Sequence, residues 1–139
     1  MRPAALLAAI LAASPAAAQD DAAEEIELRP APVYFIAATI ASTTAQEVAR
    51  GCPALSLDPP KVQALSERVL ARLQEDGFDI SRADGGMLPT AMAFSEAQQT
   101  FLLKHGLTGV ITTDLVCAAG RAEIAEGTEL GNLLVEVPE

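Results

Sequence analysis

Apolar positions recur at three- and four-residue spacing in four stretches of the chain. Each such stretch predicts an amphipathic helix. In the first, Val33, Ile36, Ile40, Thr44 and Val48 share one face over Pro32–Arg50, and Tyr34 and Phe35 widen the stripe near its start. Pro32 suits a first helical position and Gly51 the position just past the end. Ala and Thr between the large residues leave this helix thin, so neighbours can approach it closely. The second helix opens at Asp58-Pro59-Pro60, with Asp58 as N-cap and proline where a missing N–H costs nothing. Val62, Leu65, Val69, Leu70 and Leu73 form its expected buried face, while Glu67, Arg68, Arg72 and Glu75 face water. Gly77 ends it, and Phe78 stands where a Schellman motif places its hydrophobic contact.

The third helix is expected from Thr90 to His105, with Ala91, Met92, Phe94, Ala97, Phe101 and Leu102 repeating at helical spacing. Ser95 and Gln98 have the spacing of a capping box, which would move the start to Ser95. Gly106 ends this helix and Leu107 follows as its apolar contact. The fourth runs from Asp114 to Glu126, capped by Thr112 or Thr113, with Cys117, Gly120 and Ile124 on one face. Gly120 costs about 1 kcal/mol relative to Ala inside a helix. A close approach to the end of the first helix would account for it. Gly127-Thr128 then opens a short fifth helix, edged by Leu130, Leu133 and Leu134, and residues 135–139 are expected to fray. Between the second and third helices, residues 79–89 are irregular around Gly85-Gly86, with one short helical turn expected at Ile80–Ala83. No alternating pattern longer than four residues predicts a strand. The expected fold is all-α: a disulfide-stapled bundle of four helices plus a short C-terminal helix, in one domain over 32–139.

The N-terminal 31 residues read differently. Arg2, the apolar run Ala4–Ala13, the Ser14-Pro15 break and small residues at Ala16 and Ala18 form a secretory signal, residues 1–18, with cleavage between Ala18 and Gln19. A membrane anchor is the alternative, but ten apolar residues fall short of the ~20 that span a bilayer. Residues 19–31 hold five acids and one Arg, with Ile26 and Leu28 as the only anchors, and are expected to be an acidic flexible arm.

The whole chain has 139 residues, 9 Lys and Arg, 19 Asp and Glu, and a formal charge of −10. Loss of Arg2 with the signal takes the charge to −11. Such acidity excludes nucleic-acid binding through phosphate neutralisation. Two cysteines in an exported chain predict a Cys52–Cys117 disulfide. Two buried free thiols are the alternative. A redox pair is disfavoured because redox dithiols sit close together, as in Cys-x-x-Cys.

Candidate chemistry is sparse. His105, the only imidazole, stands at a helix C-terminus, where a cation meets the negative end of the dipole, and no catalytic partner is evident near it. Glu123, Glu126 and Glu129 read as a solvated acidic face, as do Asp79 and Asp84, whose spacing does not fit a calcium loop. Arg121 is placed to pair with Glu47 or another acid. No phosphate loop, nucleophile elbow or zinc-protease motif is present, so no catalytic residue, metal or cofactor is expected.

The segment Cys117–Leu134 resembles the closing motif of a family of small exported proteins of Rhodobacter-type alphaproteobacteria, known as a domain of unknown function. The matching positions are Cys117, Gly120, Arg121, Ala122, Glu123, Ile124, Gly127, Thr128, Leu130, Gly131, Leu133 and Leu134. Cys52 matches a second family cysteine. Asp58-Pro59-Pro60 and Gly85-Gly86 depart from the pattern. The resemblance implies fold and localisation and supplies no activity. The expectation is a periplasmic or secreted, non-enzymatic binding or interaction module with a protein partner of unspecified identity and no membrane span after cleavage. An acid-protective periplasmic holdase is the alternative, and an enzyme the third reading.

Overall fold

The computed structural model describes residues 27–138. The expected signal lies outside the described residues, as do residues 19–26 of the expected arm. Five helices and two short strands follow in order: α1 Val33–Gly51, β1 Leu55–Leu57, α2 Pro59–Glu75, α3 Ala91–Lys104, α4 Thr113–Glu126, α5 Glu129–Asn132 and β2 Leu134–Glu136. All five expected helices are present, with ends within one or two residues of those read from the sequence.

The helix ends follow the predicted chemistry closely. The Lys61 N–H donates to the Asp58 carboxylate at 3.3 Å, and Pro59 and Pro60 fill the first turn of α2. At its other end Phe78 N–H donates to Leu73 O at 2.9 Å and Gly77 N–H to Gln74 O at 3.0 Å. That is the Schellman pattern, with Gly77 at φ +77°. The same pair closes α3, from Leu107 N–H to Leu102 O and from Gly106 N–H to Leu103 O. Thr112 caps α4 by accepting from Leu115 N–H. The expected capping box at Ser95 does not form, because α3 already begins at Ala91 and Ser95 lies inside it. Residues 79–90 form successive turns rather than a helix.

α1 touches every other helix and β1, and it is the hub of the core. Its buried stripe is not the predicted one. Ala38, Ala41, Ala45 and Val48 are buried, whereas Ile36, Ile40 and Thr44 are half-covered and Val33 is 83 % exposed. Both stripes have helical spacing, so periodicity alone could not choose between them. Packing does: an Ala face lets neighbouring backbones close in, as the thinness of the helix suggested, and a face of Ile would hold them off. Leu70 of α2 is likewise exposed, while Leu65 and Leu73 carry that helix's burial.

The disulfide joins Cys52, fully buried after α1, to Cys117 in α4, with Cα atoms 5.0 Å apart. No cysteine is free. Three residues on from Cys117, buried Gly120 lies where an added Cβ would fall 2.7 Å from Val48 Cγ1 and against Leu55 Cδ1. The close approach of α4 to the end of α1 therefore requires this glycine.

Two local expectations are corrected. The C-terminus does not simply fray: β2 pairs antiparallel with β1, Leu57 opposite Leu134 and Leu55 opposite Glu136. Asp58 N–H to Leu133 O and Val137 N–H to Ala54 O extend the ladder on either side. Three-residue strands far apart in the chain are too short to show alternation. The arm's described end, residues 27–31, is held by Arg29, while Leu28 is exposed and Ile26 lies outside the described residues. Arg29 bridges to Met87 through bonds to Gly86 O and from Leu88 N–H. Its guanidinium lies 3.8 Å above the Phe78 ring and donates to Asp76 O.

Gly131 tests this packing most directly. A Cβ there would fall on the backbone carbonyl of Glu123, which cannot rotate aside as a side chain can. Gly131→Ala is expected to lie at or above the upper end of the ~1–3 kcal/mol range for overpacking. Gly120→Ala should cost less, because helix propensity returns about 1 kcal/mol and Val48 and Leu55 can shift. Urea unfolding followed by circular dichroism ranks the two; equal midpoints would contradict the argument.

Candidate functional site

Glu123 is the one buried charged residue in the described chain, 4 % exposed. An ionised carboxylate in such a position needs donors on both oxygens. Lys104 Nζ donates to Oε1 at 2.7 Å, and His105 Nε2 lies 2.5 Å from the same oxygen. An ionised carboxylate only accepts, so Nε2 carries the proton in that pair. The Thr128 hydroxyl donates to Oε2 and itself accepts from Gly131 N–H at 3.0 Å. Lys104 also reaches Glu126 at 2.6 Å. Burial pushes the Glu123 carboxyl up, but the bonds from Lys104, Thr128 and His105 outweigh it and hold it below the usual range.

The cluster joins three elements: the end of α3, the last turn of α4 and the N-cap of α5. It corrects two expectations. Glu123 is not part of a solvated acidic face, although Glu126 and Glu129 are exposed as expected. His105 does have a partner, 18 residues away. The missed signal was in the spacing. Gly120 was placed on the packed face of α4, and Glu123, three residues on, shares that face.

The other motif residues occupy definite places around this carboxylate. Ile124 packs on the core. Gly127 ends α4 in the left-handed conformation, at φ +66°. Arg121 points outward and pairs with Glu136 of β2 at 3.1 Å, not with Glu47, and both side chains are more than half exposed. With its oxygens so engaged, Glu123 presents no free base. Its geometry is that of a latch that fixes the end of α3.

What α3 does from that position is the second feature. None of its residues is buried, and it stands off the half-covered side of α1. Between them lies a groove of about 660 Å³. Ile40 and Val48 of α1, Phe94 and Phe101 of α3, and Leu107 and Ile111 of the following loop give it apolar walls. Thr44, Glu47, Ser95 and Gln98 are its polar points. The hydroxyls of Thr39 and Thr43, which also line it, donate to carbonyls of α1 one turn back. The volume and the mostly apolar lining match those of small-ligand sites. Ile40 and Thr44, expected in the buried stripe, are only half-covered, and their open side forms part of the groove.

Among the described residues no three His, Cys, Asp or Glu side chains are grouped to hold a metal, and no helix is long and apolar enough to cross a membrane. A family model described as a family of unknown function (DUF5333) matches residues 31–135. No curated protein and no solved structure matches the chain.

The latch has a pH signature. The folded-state pKa of Glu123 is depressed, so its stabilising contribution is present above the unfolded carboxyl value of about 4.3 and is lost as pH falls through the folded value. Glu123→Gln is expected to cost about 2 kcal/mol at pH 7. The gap between the variant and the parent should narrow below about pH 4. Urea midpoints at pH 7, 5 and 3 measure it; a gap that stays constant with pH would show that the carboxylate charge is not what holds α3.

Proposed function

The chain belongs to the DUF5333 family of unknown function, and we propose that it is an exported, non-enzymatic binding module whose ligand site is the α1–α3 groove. The groove itself is the observation that carries this reading. It is apolar, about 660 Å³ in volume and walled by a helix that buries none of its residues. Elsewhere on α3 and the loop after it, Met92, Leu103 and Val110 are apolar and 78 %, 70 % and 86 % exposed. A monomeric protein seldom leaves such a surface without a use.

Export is supported by the N-terminal pattern of Arg2, Ala4–Ala13 and Ala16/Ala18, together with the disulfide. The non-enzymatic reading is supported by the state of the chain's only imidazole. His105 Nε2 is spent on a carboxylate that Lys104 and Thr128 already occupy, with no nucleophile presented beside it. A second reading, an acid-protective holdase, is favoured by the latch. Acid that protonates Glu123 would loosen the end of α3 and expose more of the groove. Aggregation of a client protein at pH 3 and pH 7 tests this, and absence of protection at both would dispose of it.

Nile red, a neutral apolar dye, probes the groove directly. The oxidised chain is expected to bind it with a blue-shifted emission. Thr43→Trp, which fills the groove from the α1 wall, should weaken that binding about tenfold without moving the urea midpoint. No binding, or binding indifferent to Thr43→Trp, would remove the groove reading. For export, N-terminal sequencing of the chain recovered outside the cytoplasm should begin at Gln19, and a first residue of Met1 would contradict it.

A further inference from the structure

Resting on the groove as a binding site, we propose that its occupant is an extended segment of a partner polypeptide bearing apolar side chains and a Lys or Arg. The polar points of the groove carry the first part of this. Thr44, Ser95 and Gln98 line it; Ser95 and Gln98 are exposed and Thr44 is half-covered, so their side-chain polar groups are open to a ligand. Hydroxyls and amides both donate and accept. An acyl chain would leave those groups unpaired, at a cost once they are covered. A helix has already spent its backbone groups internally. An extended strand keeps N–H and C=O groups free along its edge while it projects side chains to either face, one set onto Phe94 and Phe101.

Length agrees. The α3 wall from Ala91 to Leu102 spans about 16 Å at the helical rise. That distance takes about five residues of extended chain.

Charge selects the sign. Glu47 is the one charged residue on the groove wall. Its contact with Arg50 is a surface pair, each side chain 64 % exposed, and such pairs are weak and exchangeable. Glu96 of α3 and Asp114 at the start of α4 have no ion pair among the described residues. The whole chain carries −10. A fatty-acid carboxylate would approach against this field, whereas a lysine or arginine side chain would be drawn to Glu47.

The test uses the full chain with its bridge intact and four probes. They are a fluorescein-labelled peptide of alternating Val and Thr flanked by Lys, the same peptide flanked by Glu, dodecanoate, and an amphipathic Leu/Lys helical peptide. Anisotropy should show the Lys-flanked peptide binding about tenfold more tightly than the Glu-flanked one. The double variant Ser95→Ala, Gln98→Ala should weaken the Lys-flanked peptide about tenfold, with an unchanged urea midpoint showing that the variant is folded. Neither dodecanoate nor the helical peptide should displace the bound strand. Equal binding of the two flanked peptides, or indifference to the double variant, overturns the proposal, as does displacement by dodecanoate or the helix. Nile red binding without peptide binding overturns it while leaving the groove reading intact; failure of both removes the two together.

Discussion

A carboxylate taken out of water must be met on every side, and Glu123 is where this fold satisfies that demand. Lys104 and His105 come from the end of α3, Thr128 from the cap of α5, and the carboxylate from α4. Removing one donor leaves a buried charge short of a partner, which costs more than the bond itself contributes. The requirement therefore fixes three elements at one point. α3 has no buried residue with which to hold its own position. Polar satisfaction at its end adds to the partial packing of Phe101 against the core.

The rest of the architecture follows from the two faces of α1. Its alanine face admits α4, β1 and α5 closely; a Cβ at Gly120 of α4 would meet Val48 and Leu55, and one at Gly131 of α5 would meet the backbone of α4. Its Ile40 and Thr44 side faces α3 and the loop after it across the groove. Small residues on one side and large ones on the other divide the molecule into a tight half, stapled by Cys52–Cys117, and a looser half that contains the groove. One helix thus serves as core on one side and as a wall of the candidate site on the other.

Much of this was legible locally. Asp58-Pro59-Pro60, Gly77-Phe78 and Gly106-Leu107 mark helix ends through chemistry that acts within a few residues, and the ends fall where that chemistry puts them. The features that escaped are all non-local. Ile40 and Ala41 are adjacent, and only the approach of the other helices decides which one is covered. Glu123 meets His105 only after α4 has packed. β1 and β2 are three residues each and become strands only in each other's company. Arg29 meets the Phe78 ring only once the turn after α2 is in place. Of the candidate site, the latch was foreshadowed by the shared face of Gly120 and Glu123, but the groove was not, because a gap between helices has no sequence pattern of its own.

The Cys52–Cys117 bridge has a topological side. It closes residues 53–116 into a covalent ring that contains β1, α2, α3 and the turns between them, while α1, α4, α5 and β2 lie on or outside its junction. A single peptide-bond cut within that ring, for instance in the exposed turns at 81–84, releases no fragment. It turns one chain into two that remain tied at the α1–α4 contact. The tight half holds both cysteines and both strands, so a nicked molecule keeps its core connectivity. The ring thus makes the looser half the part that can be cut without the molecule coming apart.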